Sequence, residues 1–154
     1  MKTNSVVKHV ESLSLAAITY KGSMEAIGSV YDRIVQWAAP KGLINKHTKM
    51  VTIYHDSPKT TNPSALRISA CIVVNKPMTV EGEITQKTLE STKCLVSSLE
   101  ISPTQFQQAW EASFAWMLKH GYKKSTIAPF AIYYNNAQEH PENKFIVDLC
   151  IPIL

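Results

Sequence analysis

The spacing of apolar residues along this chain switches between a strand period and a helix period, and it does so twice in the same order. Leu13 to Tyr20 is a largely apolar run that reads as a strand ending at Gly22. Apolar residues then recur at Ile27, Val30/Tyr31, Ile34 and Trp37/Ala38, the spacing of one buried helix face, with Ser23 placed to cap the helix and Pro40 and Gly42 to stop it. Val51 to His55, rich in β-branched and aromatic residues, runs into the turn signal Asp56-Ser57-Pro58, and Leu66 to Val74 makes the next strand. The second pass begins with a strand over Thr92 to Leu99. Ser102-Pro103-Thr104-Gln105 is a helix start in which Ser caps, Pro takes the first helical position and Gln closes a capping box. Phe106, Ala109/Trp110, Ser113 and Trp116/Met117 share a face until Gly121. Ala128 to Tyr134 and Phe145 to Ile153 are the last predicted strands. Between the passes, Asn75 to Ser91 is polar but carries Met78, Val80 and Ile84, which suits a further short strand or a partly ordered crossover. One helix per half among several strands predicts an α+β protein, with helices on one face of an antiparallel sheet.

The two passes are an internal repeat at a fixed offset. Trp37 and Trp116, Gly42 and Gly121, Ile53 and Ile132, Tyr54 and Tyr133, and Cys71 and Cys150 are each 79 positions apart (116 − 37 and so on). That period is too long for a solenoid. It predicts a single domain over residues 1–154 built from two pseudo-symmetric subdomains, about 12–74 and 91–153, with a concave midline where a ligand would sit. Counting alternate residues assigns the strand faces. Leu66, Ile68, Ala70, Ile72 and Val74 are expected to pack on the helices, as are Phe145, Val147, Leu149, Ile151 and Ile153. On the same count Val51, Ile53, Phe130 and Ile132 point with the helices. Thr52, Tyr54, Ala131 and Tyr133 then point away, together with Ser69 and Asp148. The expected pocket thus has two aromatic walls, Tyr54 and Tyr133, and one carboxylate, Asp148. Tyr31 and Trp110, themselves repeat mates, are expected at its edge.

Composition narrows the classes without naming a chemistry. The chain has 154 residues, 45% of them hydrophobic and 18% charged, as in an ordinary folded domain. Its net charge of +4 comes from scattered lysines, with no arginine-rich face and no nucleic-acid motif, so no direct nucleic-acid partner is expected. No apolar run is long enough to cross a bilayer and the first residues lack a secretory signal, so a cytoplasmic protein with no membrane partner is expected. Three cysteines without short-range pairing fit a reducing compartment, and each reads as a core residue. The histidines make no metal-ligand spacing, so neither metal nor cofactor is expected. No Gly-rich phosphate loop and no Gly-x-Ser-x-Gly nucleophile elbow is present.

Several stretches carry a resemblance. They are Trp116-Met117-Leu118 before His120-Gly121-Tyr122; Ala128-Pro129-Phe130-Ala131-Ile132-Tyr133-Tyr134-Asn135; the acidic loop with Pro141-Glu142; and Val147-Asp148-Leu149-Cys150-Ile151-Pro152-Ile153. Tyr20-Lys21-Gly22-Ser23 and Ile53-Tyr54-His55-Asp56-Ser57-Pro58 add to them from the first half. Together they resemble the GyrI-like (gyrase-inhibitor-like) effector-binding family, which also serves as the ligand domain of AraC-type and multidrug-sensing regulators. The resemblance implies two pseudo-twofold-related strand-helix-strand-strand units whose curved antiparallel sheet encloses a small-molecule pocket. It further implies a ligand domain standing alone, without a DNA-binding head, that senses or sequesters apolar ligands, cations among them. Asp148 matches a family position that is usually Glu, one methylene longer.

Asp148 has two readings: a counter-charge for a cationic ligand, or an acid on an open strand face paired with Arg67 or a lysine. A carboxylate in a low-dielectric pocket needs a donor, a cation or a raised pKa. The expected ligand-binding set is Tyr54, Ser69, Tyr133, Asp148, Trp110 and Tyr31. Two alternatives remain within the resemblance. A hydrolase of reactive cyclopropane-type electrophiles would use Asp148 and Tyr133 as its catalytic pair. A protein inhibitor would have DNA gyrase, or a regulator protein, as its partner.

Overall fold

The structure, a computed structural model, describes residues 3–75 and 78–154. In chain order its strands are β1 (Asn4–Val10), β2 (Leu13–Lys21), β3 (Met50–Tyr54), β4 (Arg67–Val74), β5 (Thr85–Leu89), β6 (Thr92–Ile101), β7 (Phe130–Tyr133) and β8 (Phe145–Pro152). The helices are α1 (Ile27–Ala38) and α2 (Phe106–Lys119). The chain divides into two compact units, Ser12–Glu90 and a second made of the residues up to Glu11 with Ser91–Leu154. Each is α+β. The first has antiparallel pairings in the order β3-β4-β2-β5. The second has the order β7-β8-β6-β1, also antiparallel. No helix among the described residues is long and apolar enough to cross a membrane.

The helix ends follow from local chemistry. Ser23 Oγ accepts from Glu25 N at 3.2 Å, and Ser102 forms the capping box with Gln105, whose Oε1 accepts from Ser102 N at 2.9 Å. At the other ends Gly42 (φ 73°) and Gly121 (φ 77°) adopt the left-handed conformation that lets the chain turn away while the last carbonyls stay bonded. Tyr122 N donates to Met117 O at 3.0 Å, and Leu43 N to Ala38 O at 3.3 Å.

Each helix buries the face that its periodicity predicts. Val30, Ile34 and Ala38 of α1 pack on Ala16, Ile18, Ala70 and Ile72. In the second unit Ala109, Ser113 and Met117 of α2 are buried, and Met117 packs with Leu95, Ile151 and Ile153, flanked by Trp110, Phe114 and Trp116. Ser113 is tolerated there because its Oγ lies 2.9 Å from Ala109 O and 2.9 Å from Ser97 Oγ.

Two expectations are corrected. The strands do not begin at Leu13: the residues before it contain β1, which pairs along its length with β6. At the offset of 79, β1 is the mate of β5: the unit Ser12–Glu90 ends in its own outer strand, and the other takes its outer strand from residues at the opposite end of the chain. The second correction concerns faces. Directly paired residues of an antiparallel ladder point to the same side. Thr52 pairs with Ala70 and Tyr54 with Ile68, so Thr52 and Tyr54 lie on the helix side, and Val51 and Ile53 on the other. Ala131 pairs with Leu149 and Tyr133 with Val147, so Tyr133 is on the helix side, with Phe130 and Ile132 opposite. The polar Thr52 is satisfied there: Tyr31 Oη lies 2.7 Å from Thr52 Oγ1 and donates to Val51 O at 2.7 Å. Periodicity assigned these short strands wrongly because both faces carry buried residues. Val51, Ile53, Phe130 and Ile132 are all buried on the side away from the helices.

Ile34 is fully buried against the β2–β4 surface, so Ile34→Ala is expected to cost about 2–5 kcal/mol of unfolding free energy in denaturant titration. Leu118→Ala, on a side chain 71% exposed, is expected to change it by less than about 0.5 kcal/mol.

Candidate functional site

On the face of the second unit away from α2, β6 and β8 set Ser98 opposite Asp148, and β7 sets Ile132 opposite Asp148 on the other side. Beyond the end of β7, Tyr134 N donates to Ile146 O at 2.9 Å, which continues the ladder and returns Tyr134 to the Asp148 face. Both carboxylate oxygens are then engaged. Ser98 Oγ donates to Oδ1 at 2.6 Å and Tyr134 Oη to Oδ2 at 2.7 Å. These are charge-assisted bonds to a partly exposed acid. The acid therefore has fixed rotamers and retains lone pairs for a further partner.

Around it lies a concavity of about 200 Å³ lined by Lys8, His9, Val10, Glu11, Val96, Ile132, Tyr134, Asp148 and Cys150. Val96, Ile132 and Cys150 make an apolar floor. The lining carries two carboxylates against one ammonium, a net excess of one negative charge. Burial, and then the bond to Asp148, push the Tyr134 phenol well above its ordinary value, so it is a proton donor at all ordinary pH. Burial also raises the thiols, Cys94 to about 11 and Cys71 to about 12, and Cys150 well above its usual range. These cysteines are core groups, not nucleophiles.

The structure brings only part of the expected set together. Asp148 is at the concavity. Tyr133 is on the opposite face of its sheet, its ring 6.0 Å from Phe106 of α2 and 5.4 Å from Phe145, so the tyrosine bonded to Asp148 is its neighbour Tyr134. Tyr54 likewise belongs to the helix side of its own sheet. Trp110 packs in the α2 core, 6.2 Å from Phe114, and the Tyr31 hydroxyl is bonded to β3. Ser69 does face away from α1 and is fully buried, with Thr19 Oγ1 at 2.6 Å and His55 Nε2 at 2.7 Å. Arg67, considered as a partner for Asp148, is held by Asp56: Nε donates to Oδ2 and Nη2 to Oδ1, each at 2.9 Å. Sequence reasoning missed Ser98, Tyr134 and Lys8. The signal that finds them is register, since each sits on the Asp148 face of a strand whose partner was misassigned or unrecognised.

The model of the GyrI-like small molecule binding domain family matches residues 3–154 of this chain. The chain belongs to that family. No curated relative matches this GyrI-like protein in sequence. Among solved structures it is similar to EcmrR in a complex with DNA, with a TM-score of 0.82 and 14% identity over 98% of this chain. It spans 57% of that EcmrR chain. The isolated EcmrR C-terminal domain is covered over 99% of its length and 100% of this chain, with a TM-score of 0.79 and 13% identity. SAV2435 bound to tetraphenylphosphonium gives a TM-score of 0.65 and 16% identity, covering 98% of this chain and 94% of that one. A hydrolase encoded by lin2189 from Listeria innocua gives 0.64 and 11%, covering 97% and 91%. At such identities the likeness speaks to the fold of the GyrI-like domain alone.

Asp148→Asn removes the charge that helps raise Tyr134. The Tyr134 midpoint, followed by ultraviolet difference absorbance, is expected to fall while staying above the usual tyrosine value, because burial is the larger cause. A second expectation concerns acid stability. Arg67 holds the Asp56 carboxyl down to about 2, so the pair stabilises the fold above the unfolded carboxylate pKa and ceases to do so as pH falls toward 2. Thermal melts of Asp56→Asn should show a shallower loss of stability between about pH 4 and pH 2 than the parent.

Proposed function

We propose that this GyrI-like domain binds a small, largely apolar molecule bearing one positive charge, at the Asp148 concavity of the second unit, and so senses or sequesters it in a cytoplasm. The observation that carries this reading is the anchored carboxylate over an apolar floor. Ser98 and Tyr134 orient the acid without neutralising it, while Val96, Ile132 and Cys150 offer dry contact surface. A volume of about 200 Å³ lies below the roughly 300–1,000 Å³ of drug-sized pockets. That size favours a compact cation, or one arm of a larger one. A cation seated over the face of the Tyr134 ring gains cation–π attraction, worth about 0.5–2 kcal/mol. The tetraphenylphosphonium in the SAV2435 structure supports the ligand class. The buried free cysteines support a reducing compartment.

A second reading is hydrolysis of a strained electrophile, favoured by the 2.7 Å Tyr134–Asp148 bond. A phenol kept protonated beside a carboxylate pairs a proton donor with a base that can activate water. Tyr134 takes the place of Tyr133 in that pair. Turnover of such an electrophile, followed by mass spectrometry, should then vanish in both Tyr134→Phe and Asp148→Asn.

Calorimetric titration with benzyltrimethylammonium and with tetraphenylphosphonium tests the binding reading. Loss of the charge in Asp148→Asn is expected to weaken binding by roughly 5–30-fold, about 1–2 kcal/mol for a partly exposed ion pair. Equal affinity for parent and variant would falsify the electrostatic part.

A further inference from the structure

The triad around Asp148 has a counterpart at the repeat offset. Ser98, Tyr134, Asp148 and Lys8 are each 79 positions from Thr19, His55, Ser69 and Lys87 (148 − 69 and so on). The counterpart keeps the geometry and changes the chemistry. Ser98 to Asp148 is 2.6 Å, and Thr19 Oγ1 to Ser69 Oγ is 2.6 Å. Tyr134 to Asp148 is 2.7 Å, and His55 Nε2 to Ser69 Oγ is 2.7 Å. Where the second unit has an acid that can only accept, the first has a hydroxyl, and its surroundings are cationic.

The direction of the hydrogen bonds in this relay is set by what lies at its exposed end. Ser69 has one proton and two neighbours. If His55 Nε2 accepts, Ser69 donates to it, Thr19 donates to Ser69, and no donor is left outward. If Nε2 carries the proton, it donates to Ser69, Ser69 donates to Thr19, and the exposed Thr19 O–H is free to donate. An anion at Thr19 selects the second arrangement. Charge favours the same outcome. Lys87, on the same face as Leu15 and Cys71 by register, forms no ion pair among the described residues. Arg67 stands on that face too, opposite Lys21, and its charge is met by Asp56.

We infer that the Thr19–Ser69–His55 relay with Lys87 is a second ligand site, in the first unit, that takes the carboxylate of a small organic acid. Lys87 and, farther along β2, Lys21 put ammonium groups on this face to meet a negative charge, and the Thr19 hydroxyl supplies a directed donor to one oxygen. His55 reports occupancy. Its pKa is lowered by burial, then by Lys87 and Arg67, with Asp56 opposing. An anion beside it acts against the lowering, so binding is coupled to proton uptake at Nδ1. This site does not depend on the cation reading of the Asp148 concavity, because it uses different residues in a different unit.

The test is a nitrogen-15 NMR titration of the His55 ring with sodium benzoate, against sodium chloride at equal ionic strength, over a pH series. Benzoate is expected to raise the His55 midpoint and to move the neutral ring toward the Nε2–H tautomer. Lys87→Gln should weaken the benzoate response by roughly 5–10-fold, as expected for one partly exposed charge. Thr19→Val should abolish the tautomer change, and serves as the test should Lys87→Gln fail to fold. Identical His55 titrations in benzoate and chloride overturn the site. So does a benzoate response undiminished in both variants. Inorganic phosphate acting at lower concentration than benzoate overturns the carboxylate assignment.

Discussion

The antiparallel register of β6 on β8, which sets Ser98 across from Asp148, is the constraint on which the candidate site depends. Side chains alternate along a strand, so a slip by one residue would carry Asp148 to the α2 side, among Leu95, Ile151 and Met117. An acid in that core would lack partners and cost several kcal/mol. The same register puts Leu149 and Ile151 into the core and keeps Asp148 and Cys150 on the other face. Packing of α2 and placement of the acid are therefore one decision. The helix-face residues stabilise the register, and the register delivers the carboxylate to Tyr134.

Duplication then allows one geometry to hold two chemistries. In each unit three polar side chains on neighbouring strands meet at 2.6 and 2.7 Å on the face away from the helix. Strand pairing sets the Cβ atoms of directly opposed residues about 4.5–5.5 Å apart, and polar groups of suitable reach close that gap to hydrogen-bond distance. What differs is proton inventory. Asp148 accepts two bonds and donates none, whereas Ser69 accepts one and donates one, so its relay has two directions. The acidic version can only accept hydrogen bonds; the hydroxyl version, on the same face as Lys87, can also donate one.

The family model spans the described chain and places it among small-molecule-binding domains. Within it, the local chemistry of this chain is unlike a bare acid in an apolar pocket. Lys8 and Glu11 share the lining with Asp148; their charges offset each other, so the net excess of one negative charge is distributed over a mixed polar rim. The cysteines contribute apolar volume, since burial keeps their thiols protonated.

The repeat offset, both helices with their caps, and most strands were legible in the chain alone, because each rests on chemistry within a few residues. Ser23, Ser102-Pro103, Gly42 and Gly121 punctuate the helices without help from distant contacts. Asp148 was also legible as an isolated acid on an apolar strand. Its tyrosine was not, and neither was β1. In residues 51–54 and 130–133 both faces are largely buried, and the one polar residue, Thr52, lies on the helix side, so alternation does not mark the outside. Only strand pairing, and the Tyr31 hydroxyl that accommodates Thr52, decide which set meets the helix. The partner of β6 comes from the other end of the chain, and no local window contains that information. The chain by itself thus determined what its elements are and that they come in duplicate. The tertiary structure decided which side chains share a face, because register is a property of two strands and not of one.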